Sequence, residues 1–166
     1  MAEDLATTRL YDEVVKKPGE QITYVVPWAR YLRYRWRPEH RITAGTYIAP
    51  TRSTGFEFEC TMPGLTGHRE PAWPSTLGAT VRDGSVEWTC RAPSNAALDP
   101  IESSDWAADA GISLSGQAVD ATSQDASVRI AGGDDDRDYV VTNTVRTSSG
   151  DVYVLELIVK VRSVAS

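Results

Sequence analysis

Val152-Tyr153-Val154-Leu155-Glu156-Leu157-Ile158-Val159-Lys160-Val161, near the end of a 166-residue chain, alternates with period two. Tyr153, Leu155, Leu157, Val159 and Val161 fall on one side, and Val152, Val154, Glu156, Ile158 and Lys160 on the other. Successive side chains of an extended chain point to opposite faces, so this is a long strand with one fully apolar face that a second layer must cover. Working outward, Tyr139–Val145 is rich in β-branched residues, and Thr147-Ser148-Ser149-Gly150-Asp151 between the two runs supplies a turn in which Gly150 is free to take positive φ. The pair reads as a hairpin. Ile112–Leu114 and Ala126–Ile130 add two short runs with the same alternation, and the expected closure is a small sandwich. Burial of these side chains supplies roughly 1.5–3 kcal/mol each before chain entropy is subtracted, enough for a fold and silent about function.

Composition narrows the classes. A chain 41% hydrophobic and 24% charged is ordinary for a globular protein. No apolar run approaches a membrane span, and Met1-Ala2-Glu3-Asp4 does not begin a basic-then-apolar leader, so no membrane partner and no leader is expected. The formal charge of −6 argues against nucleic acid as a partner. Charge is also uneven: Arg30 to Arg41 is arginine-rich, whereas Asp99 to Asp151 is dominated by carboxylates. Cys60 and Cys90 make neither a disulfide framework nor a metal cluster, and free packed thiols are expected in a protein made in the cytoplasm.

Residues 1–16 are polar with few core formers and read as a flexible N-terminal arm. After Pro18-Gly19, Ile22, Tyr24 and Val26 alternate in a strand that ends at Pro27. Leu32, Tyr34 and Trp36 then alternate with Arg33, Arg35 and Arg37, which predicts a strand with an arginine-rich outer face. Guanidinium groups bind carboxylates in bidentate fashion, so these arginines suit an acidic surface better than nucleic acid. The dense acidic turn Gly132-Gly133-Asp134-Asp135-Asp136-Arg137-Asp138 lacks the spacing and closing Glu of a calcium loop and reads as a solvated hairpin tip.

From Trp36 to Pro93 prolines and tryptophans concentrate among turn signals. Expected strands are Thr46–Ile48, Phe56–Thr61, Thr80–Arg82 and Ser85–Cys90, with Asp83-Gly84 marking a tight hairpin. Trp73, in a loop held by glycines and prolines, is expected to lie on the core. Trp36, Trp73 and Trp88 would stack on sugar rings if exposed, but their strand and proline neighbours place them in the core. His40 and His68 have no neighbouring nucleophile, Glu57 and Glu59 are expected on a solvent face, and Glu70 is expected to cap loop amides. The chain is therefore not read as an enzyme, and no metal or other cofactor is expected.

Two resemblances follow. Lys17-Pro18-Gly19-Glu20, Tyr24, Trp28 and Leu32, with Asp99-Pro100-Ile101-Glu102-Ser103-Ser104-Asp105-Trp106, Ile130-Ala131-Gly132-Gly133, Tyr139-Val140-Val141-Thr142-Asn143 and Thr147-Ser148-Ser149-Gly150, resemble the fiber-tail adaptor proteins of tailed bacteriophages. The family's usual Lys-Asp before the proline is Lys16-Lys17 here, and its small residues after Gly-Gly are replaced by Asp134-Asp135-Asp136. Phe56-Glu57-Phe58-Glu59-Cys60, Gly64–Pro74 and Gly78–Trp88 resemble a small module of phage neck, tail and fiber proteins, carried by Glu70-Pro71-Ala72-Trp73-Pro74 and Asp83-Gly84-Ser85-Val86-Glu87-Trp88.

Together these imply an all-β protein: an arm over 1–16, a small immunoglobulin-like β-sandwich from 17–34 and 97–166, and an inserted Trp/Pro-rich β module over 35–96. The implied role is a structural virion protein at the neck or tail that joins other phage components, including portal-side and fiber parts, as a symmetric homo-oligomer. The alternatives are a capsid decoration or cement protein and a glycan-binding module of a tail protein. The interface residues expected on charge are Arg33, Arg35 and Arg37 on one side and Asp134, Asp135, Asp136 and Asp138 on the other.

Overall fold

In the computed structural model, which describes residues 9–94, 96–122 and 124–163, all regular structure is strand apart from a 3-10 turn at Trp28–Arg30. In chain order the strands are β1 (Arg9–Lys16), β2 (Ile22–Val26), β3 (Arg41–Ile42), β4 (Tyr47–Ile48), β5 (Glu57–Met62), β6 (Gly64–Leu65), β7 (Thr80–Asp83), β8 (Val86–Arg91), β9 (Ile101–Ala108), β10 (Ile112–Val119), β11 (Ala126–Gly132), β12 (Arg137–Thr147) and β13 (Val152–Val161). The chain forms two compact units, one from the chain through Leu32 and from Pro100 onward, the other Arg33–Asp99.

The first unit is a β-sandwich of a four-stranded sheet ordered β1-β13-β12-β9 and a three-stranded sheet ordered β10-β11-β2. Four strands against three is the strand count of an immunoglobulin constant-type sandwich. The alternation in β13 is realised in full: Tyr153, Leu155, Leu157, Val159 and Val161 are all buried, and the intervening residues are half-buried. Tyr139, Val141 and Val145 of β12 face the same core, which Val26, Ala126, Val128 and Ile130 of the second sheet complete. Asn143, fully buried among them, accepts the indole N–H of Trp28 at 2.8 Å and donates to Ser104 Oγ and the Asp105 carbonyl, so its own amide and the Trp28 indole are satisfied, whereas the buried Trp106 indole N–H has no partner among the described residues.

Arg9–Lys16, expected in the arm, is a strand paired in parallel with β13, from Arg9 opposite Val154 to Lys16 opposite Val161. Residues 1–8 of that expected arm lie outside the described residues. Two interactions hold β1. Its backbone ladder joins the strongest strand of the sheet, and Lys16 is buried with Nζ donating to the Lys17 and Gly132 carbonyls at 2.9 and 2.7 Å. The acidic turn is not a hairpin tip, because β11 and β12 belong to different sheets and the turn is a crossover between them. Gly132 and Gly133 make that crossover with φ of 82° and 91°. A Cβ on Gly133 would press into Val161 and Tyr139, so the turn needs glycine both for its backbone and for space.

The second unit is built on a sheet ordered β4-β5-β8-β7, with a two-stranded ladder of β3 and β6. Phe58 and Cys60 of β5 and Val86, Trp88 and Cys90 of β8 form its core with Ile48. The β7–β8 hairpin forms at Asp83-Gly84 as expected, with Asp83 opposite Val86 and Gly84 at φ 61°. Leu32–Trp36 is not a strand. It contributes only isolated bridges, Arg33 to Leu98 and Arg35 to Ala49, because the 3-10 turn at Trp28–Arg30 precedes it and it joins no sheet over more than single residues.

Candidate functional site

The outer face of the four-stranded sheet is the most distinctive surface of the first unit. Strand alternation sends Tyr11, Glu13 and Val15 outward from β1, and they align beside Glu156, Ile158 and Lys160 of β13. Val152 and Val154 continue the β13 row, and Val140, Thr142 and Thr144 of β12 lie alongside. Tyr11 and Val15 are 69% and 59% exposed. An ion pair of 2.8 Å between Glu13 and Lys160 ties the two strands on this face, and the Glu13 carboxylate raises the Lys160 pKa. Among the described residues β1 pairs on one side only, so its other edge carries unpaired backbone groups.

The acidic crossover spends much of its charge within the unit. Asp138 accepts from Arg162 Nη2 at 2.6 Å, Asp136 lies 3.8 Å from Arg162 Nε, and Asp135 Oδ1 accepts the Ser163 and Asp136 amides. The Ser163 hydrogen bonds lower the Asp135 pKa. Asp134 is exposed, and its amide donates to Tyr139 Oη at 2.9 Å. Of the arginines, Arg33 and Arg35 are half-buried rather than on an outer face, and Arg35 donates to the Pro50 carbonyl at 3.0 Å. The extended segment lies between Leu98 and Ala49 instead of presenting a strand face to solvent. Only Arg37 of the three is exposed.

In the second unit one carboxylate organises the tryptophans. Asp83, 3% exposed, accepts Trp36 Nε1 at 2.8 Å and Trp88 Nε1 at 2.9 Å on Oδ2, and the Gly67 amide at 2.8 Å on Oδ1. Sequence reading placed Asp83 only in the turn. The signal it missed was the need of two partly or fully buried indoles for an acceptor. Glu70 does not cap amides of its own loop: it reaches across to accept the Thr51 amide at 2.8 Å and the Thr51 hydroxyl at 2.7 Å, and it accepts Trp73 Nε1 at 2.8 Å. Glu57 departs from its expected solvent face, being buried and accepting from Ser94 Oγ at 2.7 Å, while Glu59 is half-buried and bonded to Arg91 at 2.8 Å. Both thiols are free and buried, and desolvation raises their pKa values. His68 is exposed and pairs with Glu39 at 3.2 Å, and the His40 amide donates to Thr66.

Trp88 is fully buried, whereas Trp73 sits at the margin. Phe58 packs tilted against its ring at a centroid distance of 4.4 Å, Trp88 meets the ring edge-on at 6.2 Å, and Trp73 also lines an open cleft of about 340 Å3 with Pro50, Thr51, Arg52, Thr54, Glu70 and Pro71.

The molecule is thus a two-unit β scaffold whose notable features, among the described residues, are a sheet face with exposed Tyr11 and Val15, a strand edge without a partner strand and charged turns, the makings of a structural, partner-binding protein. The family model for the podophage GP4 fiber-tail adaptor protein gp77 matches residues 77–160, from the approach to β7 through β13, and the chain belongs to that family. It is accordingly a phage structural protein of the fiber-tail adaptor class. No curated protein and no solved structure matches the chain.

Proposed function

We propose that this protein sits at the neck or tail of the virion and joins neck or tail to fibers as a symmetric homo-oligomer, acting through protein–protein assembly. The observation that supports this reading best is the outer face of the β1-β13-β12-β9 sheet, where Tyr11 and Val15 stand exposed opposite Glu156 and Lys160 on a strand whose other edge pairs with no described strand. A strand edge left unpaired beside an exposed aromatic is a hazard for a free monomer and an asset for a subunit that docks. Arg37 and Asp134, exposed members of the two opposite-charge groups, are proposed to fix the orientation of neighbours, with Arg33, Arg35, Asp135, Asp136 and Asp138 as the wider set.

Cryo-EM of assembled particles tests the location: density for a small ring of copies at the neck or tail is expected, and copies spread over the shell would instead make this a cement protein. Tyr11→Lys with Val15→Glu is expected to abolish incorporation while leaving the unfolding midpoint of the isolated protein near that of the parent. Normal incorporation of that variant, and of Arg37→Glu with Asp134→Lys, would remove both surfaces from the account.

A further inference from the structure

We propose that the cleft over Trp73 is a binding site for a sugar ring that carries a carboxylate. A saccharide seat needs a fixed aromatic plane for the ring's C–H face, polar groups at the rim for hydroxyls, and a cation where the sugar is acidic. The plane is fixed here by three contacts: Phe58 packs tilted against the ring, Trp88 meets it edge-on, and the indole N–H is held by Glu70. A bound ring therefore meets an indole that has already lost its rotamer freedom, which lowers the cost of binding. Glu70 also holds the Thr51 amide and hydroxyl, so two lining residues, Thr51 and Trp73, are anchored to the same carboxylate.

The rim supplies the rest. Arg52 and Thr54 line the cleft, are exposed, and make no hydrogen bond or ion pair among the described residues. Arg52 is thus a guanidinium available for a bidentate carboxylate, and Thr54 a hydroxyl available for a sugar hydroxyl. Glu70 Oε2 accepts one hydrogen bond and retains capacity for another. Pro50 and Pro71 add apolar surface to the lining. At about 340 Å3 the cleft is at the small end of ligand sites, room for one or two rings. A proline-rich peptide docks in a groove lined by several aromatics, and one indole is a poorer match for it.

The cleft shares no lining residue with the proposed assembly surfaces and is tested on the isolated full chain. Isothermal titration calorimetry against oligogalacturonates, and against neutral galacto-oligosaccharides of the same length, should show the acidic sugars binding about tenfold more tightly, a difference of about 1.4 kcal/mol. Arg52→Met, which breaks no interaction in the fold, should abolish that preference with an unchanged unfolding midpoint. Trp73→Phe, which keeps an aromatic core contact, should weaken both series. No binding at millimolar sugar, a preference that survives Arg52→Met, or seating of a proline-rich peptide in place of the sugar would each overturn the proposal.

Discussion

Replacing Asp83 should damage the second unit more than any other single polar change. Its carboxylate holds three N–H donors at 2.8–2.9 Å while only 3% exposed. Asp83→Asn keeps the shape but leaves a single acceptor oxygen. If that oxygen faces the two indoles, the new amide N–H meets the Gly67 N–H; if the amide turns over, both indoles lose their acceptor. Losing one hydrogen bond to a charged group costs about 1.5–3 kcal/mol, and the remaining bonds weaken as the charge goes, so about 2–4 kcal/mol is expected for Asn. Asp83→Ala orphans all three donors at roughly 1–3 kcal/mol each and should cost more. Hydrogen exchange at the β5 and β8 amides reads the second unit by itself, and urea midpoints at constant slope give the free energy. A cycle with Trp36→Phe adds a specific check. Removing the indole N–H should be less costly once Asp83 is gone, with a coupling of about 1 kcal/mol or more. An Ala variant within about 0.5 kcal/mol of the parent, or strict additivity in the cycle, would refute the three-donor account.

Two further substitutions probe the first unit. Asn143→Leu should lower stability by about 2–4 kcal/mol, because it strands the buried Trp28 N–H and the Asp105 carbonyl while roughly conserving volume; thermal unfolding measures it, and a neutral result would mean those bonds add nothing. Asp120, in the turn after β10, is lowered from 3.8 to about 2, first by the Thr122 hydroxyl and then by the Asp125 and Gln124 amides. A depressed carboxyl stabilises the fold above its unfolded pKa and loses that contribution as pH falls through the folded value. The stability gap between parent and Asp120→Asn should therefore be full near neutral pH and close between about pH 4 and pH 2; urea midpoints across that range check it, and a gap that stays constant down to pH 2 would contradict it.

What sequence made legible was whatever obeyed a strong local rule. The apolar face of β13 and the β12–β13 and β7–β8 hairpins rest on alternation or turn chemistry, whereas the amide that Glu70 caps, Thr51, lies 19 residues away and was not legible. β9 escaped notice because Ile101–Ala108 is rich in Ser, Glu and Asp and is held by its ladder to β12 rather than by an apolar stripe. β1 escaped because its inward row, Leu10, Asp12, Val14 and Lys16, is half polar; Asp12 is there to accept from the Tyr24 hydroxyl, and Lys16 to reach backbone carbonyls. Leu32–Trp36 misled in the opposite sense, with perfect alternation and no partner strand. The arginines and aspartates were visible as clusters, but their use within the fold by Pro50, Arg162 and Ser163 depends on segments far away in the chain.

The pairing of β1 with β13 and of β2 with β11 also bears on how the protein is made. Everything the second unit needs has been synthesised by Asp99, so it can close before the chain is finished, whereas the first two strands must wait for partners encoded at the far end of the message. Such long loop closures slow folding and leave nascent edges uncovered in the meantime, so late ribosome stalling or a nonsense codon before Val152 should yield a chain with a finished middle and two adhesive ends.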